Sequence, residues 1–133
     1  MSIFAGKIAL ITGGGSGIGR ATALAFAKAG SKVVIAGRRQ AEGEQVARET
    51  GGLFVRTDVS REMDVENLIR RVADTHGRLD YAFNNAGTEG NGKPVADETE
   101  ANFQVVFDTN VKGTLLSMKH EIPLLLKSGG GAI

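Results

Sequence analysis

Thr12-Gly13-Gly14-Gly15-Ser16-Gly17-Ile18-Gly19 stands between an unbroken apolar run, Ile8-Ala9-Leu10-Ile11, and an alanine-rich stretch from Arg20 to Lys28 that Gly30 closes. The apolar run reads as a strand buried on both faces, and the alanines read as a helix. The eight residues between them therefore form a strand-to-helix turn. Glycines let such a turn bend sharply and approach a ligand, while free amides and the dipole at the helix start face an anion. The spacing is G-x-x-x-G-x-G over Gly13, Gly17 and Gly19, not the commoner G-x-G-x-x-G, and no Gly-Lys-Ser/Thr of a Walker loop follows. Set in this context, the turn favours nucleotide binding over a purely structural role.

Outward from this turn the alternation continues. Val33 to Ala36 reads as a second strand, Gln40 to Thr50 as a helix, and Leu53 to Thr57 as a third strand. Ser60 reads as the N-cap of a helix that carries Val65, Leu68, Ile69, Val72 and Ala73 and ends at Gly77. Leu79 to Phe83 is the fourth strand. A glycine-rich loop, 87 to 97, then leads to a strongly periodic helix with an apolar stripe of Phe103, Val106, Phe107, Val111, Leu115 and Met118. Pro123 should kink or end that helix. Ala132 and Ile133 look like the start of a fifth strand. Strands and helices alternating through short connections imply right-handed crossovers and an α/β, doubly wound parallel sheet in three layers. A single domain spanning 1–133 is expected.

Composition narrows the function. With 41% hydrophobic and 23% charged residues the chain has globular usage. Its 16 basic and 15 acidic side chains balance to +1, which gives no support for a nucleic-acid or membrane-surface partner. There is no cysteine and there are two histidines, so thiolate chemistry and a histidine-rich metal centre are excluded, and no metal is expected. No apolar run is long enough for a membrane span and no signal-peptide layout opens the chain, so a soluble, cytoplasmic protein is the expectation. Glycine, at 19 residues, is about twice its ordinary share of about 7%.

The second strand ends Ala36-Gly37-Arg38-Arg39. An acid near this point suits a ribose 2′-hydroxyl, whereas arginine accommodates a 2′-phosphate. Gly37 offers no carboxylate to repel that phosphate, and Arg38 or Arg39 could clamp it. The preference is NADP(H), with NAD(H) the alternative, and with solvated loop charges as the bland reading of both arginines. Asn110 lies three and four residues past Phe107 and Val106, on the apolar stripe, where a buried amide needs partners or costs about 1–3 kcal/mol. It could serve only to satisfy a helix kink. His76 reads as a partner for its helix C-terminus. Glu89, Asp97, Glu98 and Glu100 read as solvated positions, and Met118 as core.

With Asp58-Val59 after the third strand, Asn84-Asn85-Ala86-Gly87 after the fourth and Asn110-Val111-Lys112-Gly113 in the long helix, the chain resembles the short-chain dehydrogenase/reductase family. The resemblance covers essentially all 133 residues and points to the single-domain branch and to a Rossmann-type fold. It implies that Gly13, Ser16, Gly17 and Ile18, with Gly19 of the same motif, surround the pyrophosphate and adenosine ribose. Arg38 would select a 2′-phosphate, Asp58 and Val59 would contact adenine, and Asn85, Ala86 and Gly87 would border the cofactor. Asn110 would be catalytic, holding a water in a proton relay. Hydride would pass between a nicotinamide and a small-molecule carbonyl or alcohol substrate, and subunits would pair through the long helix into a dimer or tetramer.

The family's proton-transfer pair, Tyr-x-x-x-Lys, has no match here. Tyr81, the one tyrosine, is followed four positions on by Asn85 and lies in the fourth strand. The expectation is the cofactor-binding part of a longer enzyme, incomplete at the C-terminal side of the fold and inactive alone. The alternatives are a dinucleotide-binding module without turnover and an inert fragment.

Overall fold

A computed structural model describes residues 2–133. Four parallel strands, β1 (Ile8–Thr12), β2 (Lys32–Gly37), β3 (Leu53–Arg56) and β4 (Tyr81–Asn84), pair in the order β3-β2-β1-β4. Helices α1 (Gly17–Lys28), α2 (Gln40–Thr50) and α3 (Glu62–His76) alternate with them. After β4, a 3₁₀ turn at Val95–Asp97 precedes α4 (Glu100–Phe107), a π-helical turn (Asp108–Lys112) and α5 (Gly113–Lys127). Among the described residues no helix is long and apolar enough to cross a membrane.

The sheet is covered on both faces, as continuous apolar strands require. Alternate side chains point to opposite sides. Ile8, Leu10, Val34, Ala36 and Val55 pack with Leu68 and Val72 of α3 and Leu124 and Leu125 of α5. On the other side Ala9, Ile11, Val33 and Ile35 pack with Ala23 of α1 and Val46 of α2. The two cores sit either side of one sheet, giving three α/β/α layers. Because β2 and β4 lie on opposite sides of β1, the loops leaving β1 and β4 diverge at the carboxyl end of the sheet. Ligands of open α/β sheets bind at such a divergence.

Several expectations change in detail. β4 begins at Tyr81, not Leu79, because Leu79 N bonds to Ser128 Oγ and Asp80 ties the strand entrance to β1. Arg61, not Ser60, is the N-cap of α3, since Ser60 Oγ is taken by Asp58 Oδ1 at 2.6 Å. Pro123 does not end α5, which runs to Lys127; the missing amide would have served Lys119, which is exposed and can hydrate. His76 makes no charged helix cap: burial and then Lys32 lower its pKa, so the ring is neutral at pH 7. The apolar stripe of the long helix is largely uncovered, with Phe103, Phe107, Val111 and Leu115 all 47–64% exposed, and Met118 is only half-buried. Ala132 forms a parallel bridge to Tyr81, as expected of a fifth strand beginning on β4.

Candidate functional site

A cleft of about 380 Å³ opens at the divergence of β1 and β4. Its floor is the glycine turn. Gly13 has φ +65°, and a Cβ there would stand 2.9 Å from both Ala86 Cα and Asn85 Nδ2, so only glycine fits without strain. Thr12 Oγ1 accepts from Asn85 N and Ala86 N, each at 3.1 Å. Asn85 Nδ2 donates in return to Thr12 O at 3.2 Å and Gly13 O at 3.1 Å. Four hydrogen bonds thus lock the two diverging loops together and hold the turn open.

Ser16 is the N-cap of α1 but makes no capping bond, and no acidic side chain stands in the first turn of this helix. The leading amides of α1 keep the positive end of the dipole without a carboxylate from the chain to neutralise it. Gly13 and Ser16 line the cleft, with Gly15 between them. Gly17, Ile18 and Gly19 do not line it. Ile18 is 72% exposed, and Gly19 packs so closely beneath Gly13 that any side chain would strike the Gly13 carbonyl.

Around this floor the expected residues converge from three strand ends. Arg38 and Arg39 line the cleft after β2, Asp58 and Val59 after β3, and Asn85, Ala86 and Gly87 after β4. Arg39 Nη2 donates to Ser16 Oγ at 2.8 Å, so one arginine of the pair touches the glycine turn. Burial acts to raise the Asp58 carboxyl. Hydrogen bonds from Ser60 Oγ and N, together with the charges of Arg38 and Arg61, outweigh that and hold it below the usual aspartate value. The rim is therefore an ionised acid beside two cations.

Asn110 is exposed rather than buried, and it lies outside the cleft wall in the π turn. Its Oδ1 accepts from Thr88 N and its Nδ2 donates to Thr88 O, both at 2.8 Å. This clamp fixes the loop just beyond Gly87, and Asn110 Oδ1 would lie 3.3 Å from a Cβ on that glycine. Its amide partners are backbone atoms of Thr88, so the side chain ties the π turn to the loop after β4 rather than satisfying backbone groups of its own helix. Tyr81 faces away, within an aromatic cluster with Phe4 and Phe26 at centroid distances of 5.5 and 5.7 Å.

Phe54, Thr57 and Thr109 also line the cleft, and no motif in the sequence marks them. Phe54 and Thr57 carry a weaker signal, since Phe54 lies in β3 and Thr57 stands between its end and Asp58. Thr109 carries none except adjacency to Asn110. Away from the cleft, Glu62, Glu66 and His120 bring ligand atoms within 4.8 Å of one another, but Lys119 and His120 both already engage Glu62 Oε1.

Comparison with known proteins agrees with this architecture. The short chain dehydrogenase family matches residues 7–133. A short chain dehydrogenase/reductase of Aspergillus oryzae is 39% identical over 132 residues, covering 95% of this chain and 51% of that protein. Secoisolariciresinol dehydrogenase of Forsythia intermedia is 39% identical over 132 residues, covering 96% of this chain and 48% of that protein. The crystal structure of a 3-ketoacyl-ACP reductase from Sinorhizobium meliloti superposes with a TM-score of 0.88 at 41% identity, over 95% of this chain and 51% of its own. The chain spans about half the length of the relatives it matches. With its parallel sheet, its glycine turn and its family match all in agreement, the chain belongs to the short-chain dehydrogenase/reductase family.

Proposed function

We propose that this chain is one NAD(P)-binding unit, residues 1–133, of a short-chain oxidoreductase, and that NADP(H) is its preferred cofactor. The observation that carries the reading is the cleft floor. Uncompensated amides of α1 meet a turn in which Gly13 and Gly19 leave no room for a side chain, a geometry suited to a diphosphate. Gly13, Ser16, Gly17, Ile18 and Gly19 would hold the diphosphate and neighbouring ribose, Arg38 with Arg39 the 2′-phosphate, and Asp58 with Val59 the adenine. Asn85, Ala86 and Gly87 would border the rest of the cofactor.

When bound, the nicotinamide would exchange hydride with a carbonyl or alcohol carbon, the chemistry implied by relatives named as dehydrogenases and a ketoacyl reductase. What this chain's residues do is bind and orient. The Thr12–Asn85 lock fixes the phosphate turn relative to the loop after β4, and the Asn110–Thr88 clamp fixes the far side of that loop. Asn110 is proposed as the residue that reaches the reaction centre by holding a water. The exposed stripe Phe103, Phe107, Val111 and Leu115 supports subunit pairing through the long helix.

Thermal unfolding with each dinucleotide tests the reading. At 100 times Kd, binding stabilises by about 2.7 kcal/mol. NADP⁺ should raise the midpoint more than NAD⁺, and Arg38→Asp should reverse that order. An unchanged order would overturn the NADP assignment, and no shift with either nucleotide would overturn the site.

A further inference from the structure

Glu121, on α5, is completely buried. Asn84 Nδ2, at the last residue of β4, donates to Glu121 Oε2 at 2.9 Å. The other atom of each pair, Glu121 Oε1 and Asn84 Oδ1, is buried without a hydrogen-bond partner. These two orphans are complementary on one condition. Both are acceptors while the carboxyl is ionised, but a proton on Oε1 makes it a donor and leaves Asn84 Oδ1 as its natural acceptor. An acid and an amide joined by two antiparallel hydrogen bonds would then satisfy every polar atom in the pair, as burial demands.

We infer that Glu121 is held as a neutral acid which closes a two-point lock on Asn84, and that this lock positions the cofactor-bordering loop from behind. Asn84 adjoins Asn85, whose amide holds the Thr12 and Gly13 carbonyls of the glycine turn. Glu121 is thereby a positioning residue two steps from the diphosphate site. The last step rests on the reading of the cleft given above.

Among the described residues no other charge answers Glu121. Glu62 and Glu66 of α3 face Lys119 and His120, which precede Glu121 on α5. Asp80, ahead of β4, is held by Lys7 and Arg78, and in the π turn Asp108 pairs with Lys112. Burial accordingly pushes the Glu121 carboxyl up to about 7, against the smaller lowering effect of the Asn84 bond. A raised folded value means that the lock contributes fully at low pH and is lost as pH rises through about 7.

The test compares the wild-type chain with Glu121→Gln, whose amide makes the same two bonds at every pH. Between pH 6 and 8 the wild-type folding equilibrium should fall about tenfold relative to Glu121→Gln, a comparison that cancels the opposite contribution of His76. The Glu121 ¹³C carboxyl resonance of the ligand-free protein should titrate near neutrality. The Kd for NADP⁺ should rise several-fold over the same range in wild type and not in Glu121→Gln, and Glu121→Ala should bind weakly throughout. Parallel pH profiles of wild type and Glu121→Gln, or a carboxyl titrating in the ordinary glutamate range, would overturn the lock. A chain that binds no dinucleotide at any pH overturns the reading of the cleft, and the ligand-free titration then decides the lock by itself. If Glu121→Gln does not fold, the wild-type carboxyl titration decides the lock in the same way.

Discussion

Two buried carboxyls, Asp80 and Glu121, meet β4 at opposite ends and are driven in opposite directions. Asp80, 3% exposed, stands just before the strand, accepts from Ile8 N at 2.9 Å and pairs with Arg78 and Lys7. Burial tends to raise its pKa, but the Arg78 and Ile8 bonds and both cations prevail and keep it below the usual value. Glu121, at the far end, has an amide and, among the described residues, no cation, so burial prevails. The difference lies in the partners, not in the depth. At the amino end of the sheet, charge joins β1 to β4 permanently. At the carboxyl end the joints between β1 and β4 are amides and hydroxyls, and the ionised acid of the cleft rim, Asp58, stands apart from them after β3.

The largest break in that comparison comes from Gly13→Val. A branched side chain at φ +65°, against backbone 2.9 Å away, would separate the two loops. The strain is about 1–3 kcal/mol, and the dinucleotide-induced rise in melting temperature should vanish. Asp80→Ala attacks the other end. It leaves Ile8 N without its partner and should cost about 1–3 kcal/mol, several degrees in Tm, while the midpoint shift with NADP⁺ stays near its wild-type size. The two variants should therefore separate, one in binding and one in stability. Because the folded Asp80 value is lowered, its contribution is present above the ordinary aspartate value and lost as pH falls below it. Asp80→Asn should flatten the acid limb of a stability–pH curve, whereas Glu121→Gln flattens the neutral limb. Asn85→Ala is a smaller perturbation, about 1 kcal/mol for two carbonyl bonds, and should weaken NADP⁺ binding measured by calorimetry more than it lowers Tm.

What was legible from the sequence follows the same division. The strand-turn-helix at 8–28 was readable because its physics is local: an apolar run, then glycines, then alanines. α2 matched residue for residue, since polar Gln40–Thr50 is bounded by a turn and by Gly51. The start of β4 was harder. Leu79 is as apolar as any strand residue, but Ser128 Oγ takes its amide while the Asp80 carboxylate takes that of Ile8, and partners 49 and 72 residues apart leave no local trace. Glu121 reads as one more polar position on a helix, because only the sheet end packed above it makes it buried. The exposed face of α4 and α5 shows the reverse problem. Periodicity reports that a stripe is apolar, and says nothing of whether this chain or a partner covers it.

Asn110 tests how far the neutral joints extend. Its amide bonds only to Thr88, both bonds are 2.8 Å, and the residue is exposed, so water can replace what Asn110→Ala removes. Exposed to water, the two bonds together are worth less than about 1 kcal/mol net. Tm should move by no more than a few degrees, less than in Asn85→Ala. The loop beyond Gly87 should nevertheless loosen, and amide hydrogen exchange at Thr88 should accelerate while exchange in β1 stays unchanged. If β1 exchange accelerated equally, Asn110 would belong to the global fold and the carboxyl end would not be a set of separable joints. If neither changed, the π turn would hold the loop through its backbone alone, and the assignment of Asn110 as the clamp would fail.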